Sequence, residues 1–187
     1  MTPVEQLLTD LIATLNDLQI PYAMIGGWAV RAYGVPRPTY DVDLTILIDR
    51  EELPQLFTAI HEVGYDVDDS YLRGWTDNVA GMPLVKAKTF VDGRTLVGDI
   101  FLAENPFQLS MIERKLELPV NGFNAWVASP EDIILLKLVA SRHRDLGDIQ
   151  DILFMQDQLD ESYMLKWAAE LDISRALEQA LREAQSN

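Results

Sequence analysis

Two aspartates, Asp41 and Asp43, stand two positions apart at the head of an apolar run, Leu44-Thr45-Ile46-Leu47-Ile48. The run reads as a strand, in which alternate side chains share a face, so both carboxylates are predicted to point one way and Val42 the other. Like charges at that spacing repel, and each raises the pKa of its neighbour. A hard cation makes the arrangement favourable, because Mg²⁺ is held by one or two carboxylates together with the phosphate oxygens of a substrate. Upstream, the apolar strand Tyr22-Ala23-Met24-Ile25 stops at Gly26-Gly27. Glycines let the backbone approach a ligand closely, and a helix over Trp28–Tyr33 would start behind them with its N–H groups aimed at an anion. A phosphate cradle beside metal-binding carboxylates reads as phosphoryl or nucleotidyl transfer.

The Asp-x-Asp spacing alone is not specific in a chain of 30 acidic and 15 basic residues. Asp66-Val67-Asp68 repeats it, with no glycine turn before it and no apolar run after it. What sets Asp41 and Asp43 apart is the order of the pieces around them. Strand, Gly-Gly, a short helix closed by Gly34 and the Pro-punctuated loop Val35-Pro36-Arg37-Pro38 all precede the pair.

The elements that must position these groups are legible on either side. Thr2-Pro3 caps a first helix whose Leu7, Leu8, Leu11, Ile12, Leu15 and Leu18 form one buried face. A further helix runs from Asp49 to about His61, ended by Gly64. Leu84–Val91 and Arg94–Leu102 read as strands joined by Asp92-Gly93, a two-residue hairpin turn, and Asn121-Gly122 makes a second hairpin. Asp99 is an acid inside a strand that reads as mostly buried, so it needs a partner: an Arg or Lys ion pair, or a role at a site. Lys86 and Lys88 alternate onto one strand face and read as solvated. After a short helix around Phe107–Lys115 the chain turns helical at Ser129-Pro130, with Lys137 inside an apolar segment where a lysine must be paired or reach a ligand. Arg144 and Asp148 sit four apart, an ordinary helix pair. Two amphipathic helices broken near Leu171-Asp172 close the chain, and the polar tail to Asn187 is expected to fray.

Gly26-Gly27-Trp28-Ala29, Gly34 and Arg37-x-Thr39-x-Asp41-x-Asp43 together resemble the signature of the polymerase-β-like nucleotidyltransferase superfamily. The resemblance is to its minimal bacterial members, the antibiotic nucleotidyltransferases and the nucleotidyltransferase toxins of abortive-infection pairs. It implies two Mg²⁺ ions, a nucleoside triphosphate substrate, and transfer of a nucleotidyl group to an acceptor hydroxyl or phosphate. It also implies a third catalytic carboxylate on a later, adjacent strand, for which Asp99 is the match, as metal ligand and proton acceptor. Gly26, Gly27, Arg37 and Thr39 would then line the nucleotide site. Lys137 would meet the triphosphate, and Arg144 with Asp148 would tie the helices to the sheet. Many members carry Ser where this chain has Gly27, so one hydroxyl contact to phosphate is missing.

The fold expected is α+β: a twisted mixed sheet with helices packed on it, catalytic over 1–128 and helical over 129–187, with a soft boundary that leaves one compact unit possible. With 48% hydrophobic residues the chain has ample core, no apolar run spans a bilayer, and the absence of Cys rules out disulfides and thiolate metal sites. No leader is visible, so a cytoplasmic protein is expected. A net charge of −15 argues against a broad nucleic-acid footprint and favours a small-molecule acceptor. A toxin-like enzyme acting on tRNA or protein, with an antitoxin-like partner, would instead need a basic groove from Arg31, Arg37, Lys86, Lys88 and Arg142. A non-catalytic module of the same fold is the third reading.

Overall fold

A computed structural model describes residues 1–185. The expected fraying of the tail falls partly on Ser186 and Asn187, outside the described residues. The strands are β1 (Tyr22–Ile25), β2 (Val42–Ile46), β3 (Asp66–Val67), β4 (Asp77–Val79), β5 (Met82–Val91), β6 (Arg94–Leu102), β7 (Leu116–Val120) and β8 (Phe123–Val127). They form one mixed sheet in the order β3-β5-β6-β2-β1-β8-β7, with β4 paired to β5. The helices are α1 (Pro3–Asp17), α2 (Gly26–Ala32), α3 (Leu53–Glu62), α4 (Pro106–Arg114), α5 (Pro130–Ala140), α6 (His143–Met155), α7 (Glu161–Glu170) and α8 (Ser174–Gln185). None of them is long and apolar enough to cross a membrane.

Local chemistry accounts for most boundaries. Thr2 caps α1 in a reciprocal box with Glu5, and Ser129 caps α5 ahead of Pro130. The turns Asp92-Gly93 and Asn121-Gly122 place both residues at positive φ, the geometry that follows strand twist in a tight hairpin. Three expectations are corrected. α2 begins at Gly26, not Trp28, so the glycines are its first turn; β2 begins at Val42, leaving Asp41 just ahead of it, and ends at Ile46. The short edge strands β3 and β4, unforeseen in the sequence, hold the segment between α3 and β5 against the sheet.

α1 packs on one face of the sheet, where Leu11 and Leu7 approach the bare Cα of Gly98. α5 to α8 form a helical layer, and α5 touches α2. Asp132, fully buried in α5, accepts hydrogen bonds from Tyr163 Oη (2.6 Å) and Ser129 Oγ (2.8 Å), fastening α7 to α5. Burial, and then the Asp132 carboxylate, push the Tyr163 phenol upward, so the phenol keeps its proton and donates it. Tyr163→Phe is expected to cost about 1–3 kcal/mol in urea unfolding, since it leaves a buried carboxylate one donor short. Catalytic parameters should change little.

Candidate active site

The central strands set the geometry. β2 and β6 are parallel neighbours with Asp43 opposite Asp99, so their side chains leave the sheet on the same face, the one away from α1. Asp41, just before β2, opens into the same cleft as Asp43. Burial first, then the negative charges of Asp41 and Asp99, raise the Asp43 carboxyl to about 7, while Arg142 and Arg144 pull it back. Burial also raises Asp99, against the nearby Lys86. Among the described residues no Lys or Arg forms an ion pair with Asp99, and its buried Oδ1 has no hydrogen-bond partner. The salt-bridge explanation of Asp99 therefore fails. By contrast, Asp66 of the second Asp-x-Asp lies at the sheet edge, its side chain 87% exposed.

The glycine turn lies directly under the carboxylates. Gly26 has φ +64°, and a Cβ there would land on Asp43 Oδ2. A Cβ on Gly27 would come within 2.7 Å of Thr39 Oγ1, so Thr39 fills the space that a side chain at position 27 would need. The Thr39 hydroxyl is itself buried and without a partner.

The cations divide into two sets. Lys137, buried in α5, pairs with Asp145 (3.2 Å) and with Asp148, and Arg37 from the Pro-rich loop pairs with the same Asp148. Both line the cleft, but both are already matched by protein carboxylates. The expected Arg144–Asp148 helix pair does not form, because Asp148 faces Arg37 and Lys137. Arg142 and Arg144 are exposed at the cleft with no ion pair among the described residues. Lys86 corrects another expectation: it lies opposite Asp99 and pairs with Asp77 (3.4 Å), which accepts from Tyr71 Oη (3.0 Å). Lys88 is exposed, as expected. Lys86 could have been placed from sequence, because a two-residue turn at Asp92-Gly93 fixes the register of the hairpin.

No protein-family model matches the sequence, and no curated protein does. Solved structures do match. The antibiotic-resistance factor ANT(2'')-Ia superposes with a TM-score of 0.57 at 17% identity, covering 100% of this chain and 97% of that one. The chain has the nucleotidyltransferase fold. The same enzyme in complex with adenylyl-2''-tobramycin gives 0.54 at 17% identity over 97% of this chain and 99% of that one. The lincosamide antibiotic adenylyltransferase LnuA, lincomycin-bound, gives 0.53 at 14% over 83% and 99%. The nucleotidyltransferase fold is the one the sequence resemblance implies.

The donor chemistry suits a hard divalent cation. Among the described residues no group of three His, Cys, Asp or Glu side chains is placed to hold a metal ion. Mg²⁺ does not need one, since it keeps waters and takes substrate phosphate oxygens beside one or two carboxylates. An orphaned Asp99 Oδ1 and a crowded Asp43 are the oxygens such an ion would satisfy.

Proposed function

We propose that the protein is a Mg²⁺-dependent nucleotidyltransferase that moves a nucleoside monophosphate from a nucleoside triphosphate to a hydroxyl or phosphate of a small-molecule acceptor. One observation carries the reading: Asp43 and Asp99 stand opposite each other on adjacent strands, Asp43 opens with Asp41 into one cleft, and among the described residues neither Asp43 nor Asp99 forms an ion pair with a Lys or Arg. A bound metal pair would stabilise charge on the attacking and leaving oxygens. Asp41, Asp43 and Asp99 would hold it, and the Asp99 carboxylate would take the proton of the attacking hydroxyl. The Gly26-Gly27 backbone approaches the β- and γ-phosphates with no side chain in the way. Arg142 and Arg144 offset the triphosphate charge, with Lys137 and Arg37 behind them.

A small acceptor is favoured over a polynucleotide because the basic groove is not assembled. Arg37 and Lys86 are ion-paired with Asp148 and Asp77, and Arg31 lies over the Trp28 ring, beside a different groove. The structural neighbours named for antibiotic substrates lend support to the same choice.

The test is transfer of label from α-labelled nucleoside triphosphates, with Mg²⁺, onto a panel of aminoglycosides, lincosamides and transfer RNA. Label on a small acceptor, abolished by Asp99→Asn, is the expected result. Arg144→Ala should raise KM for the nucleotide about tenfold, the worth of one charge-assisted contact, and leave thermal stability unchanged. Label on transfer RNA alone would reject the acceptor class, and no labelled product under any condition would reject the activity.

A further inference from the structure

Lys86 has a cross-strand neighbour of opposite charge with which it does not pair. It stands directly opposite Asp99 on the antiparallel strands β5 and β6, so the two side chains leave the sheet on one face, side by side. Burial raises the Asp99 carboxyl, and Lys86 is the strongest of the charges that pull it back, which requires the ammonium to be near. Yet Lys86 Nζ meets Asp77 Oδ2 at 3.4 Å. Among the described residues Asp99 forms no ion pair, and its buried Oδ1 has no hydrogen-bond partner.

The placement of Asp77 explains the choice. On β4 it lies opposite Leu84, two positions from Lys86 along β5, and therefore on the same face. The oxygen that meets Lys86 also accepts from Tyr71 Oη (3.0 Å). Tyr71 is buried, with its ring 6.2 Å from that of Phe57 in α3. The core thus holds the phenol, the phenol holds the carboxylate, and the carboxylate holds the lysine.

We infer that Asp77 is a positioning residue that draws Lys86 aside and so keeps the Asp99 carboxylate open to a divalent cation. The inference rests on the metal-binding role proposed for Asp99 and adds a requirement outside the three acids of the cleft. With the charge of Asp77 removed, Lys86 turns to the carboxylate across the strand and competes with the cation for it. Directly opposed charges on neighbouring strands attract, so the competitor is already in place.

The test is titration of the whole chain with Mn²⁺, an oxygen-binding probe counted by electron paramagnetic resonance, in the native protein, Asp77→Asn, Lys86→Gln and the double variant. Asn keeps an acceptor for Tyr71 Oη, so Asp77→Asn retains the tie to the core. Asp99→Asn defines the binding that depends on that carboxylate. Asp66→Asn, at the exposed sheet edge, removes one negative charge outside the Asp77–Lys86 pair. Affinity is expected to fall about fivefold in Asp77→Asn and to return to the native value or above when Lys86→Gln is added. Asp66→Asn should bind as the native chain does. Native affinity in Asp77→Asn, a loss that persists in the Lys86→Gln background, or an equal loss in Asp66→Asn overturns the inference and leaves the metal role of Asp99 standing. Absence of any Mn²⁺ binding that Asp99→Asn removes overturns that role and the inference together.

Discussion

Asp43→Asn is expected to abolish transfer and at the same time make the metal-free protein more stable. In the role proposed for Asp43, loss of its carboxylate should lower kcat by about three orders of magnitude, roughly 4 kcal/mol of barrier. Stability should move the other way. Asp43 is half-buried next to two other acids, and its folded-state pKa lies near 7 against an ordinary 3.8. A carboxyl raised in the folded state contributes most when protonated, and that contribution is lost as pH rises through the interval between the two values. Native protein at pH 8 therefore carries a penalty that Asn does not. Urea unfolding in a chelator should show Asp43→Asn stabilised on the order of 1–3 kcal/mol at pH 8, with the difference shrinking towards pH 4. Mg²⁺ should raise the melting temperature of the native chain and not of the variant. Equal stability of the two proteins at pH 8 would mean that Asp43 is not under electrostatic strain.

Gly26→Ala should inactivate with the opposite effect on stability. An Ala at φ +64° costs about 1–2 kcal/mol in backbone strain, and overpacking against the Asp43 carboxylate adds about 1–3 kcal/mol. Because the added methyl meets Asp43 itself, the two sites are energetically coupled. Adding Asp43→Ala to Gly26→Ala should recover the packing part of the loss but not the backbone part or the activity. Strict additivity of the two substitutions in chemical denaturation would show that the turn and the carboxylate do not press on each other.

The placement of the candidate site residues is readable wherever spacing alone fixes direction. Asp43 and Asp99 belong to strands announced by apolar runs, and the Asp92-Gly93 turn pins the register that puts Asp99 on its face. What sequence did not disclose was which acid each cation meets. The apolar setting of Lys137 calls for a partner without naming one, and the spacing of Arg144 predicts a pair with Asp148 four residues on. A helix offers the i, i+4 partner, but Arg37, 111 positions away, competes for Asp148 together with Lys137. Such choices are made by long-range packing, which no local pattern encodes. β4 was missed for a related reason. Three residues carry too little periodicity to announce a strand, and only pairing with β5 brings Asp77 to Lys86.

Asp148 is an anion on which a loop of the sheet and a helix of the C-terminal layer both close, through Arg37 and Lys137. For Lys137 to turn toward an incoming triphosphate, Asp145 and Asp148 would be left with Arg37 as their sole counter-ion in that cluster. If Lys137 meets the nucleotide as proposed, arrival of the nucleotide and the seating of the helices are thermodynamically linked. Under that proposal, a substitution that weakens the Arg37–Asp148 contact should alter nucleotide affinity as well as stability.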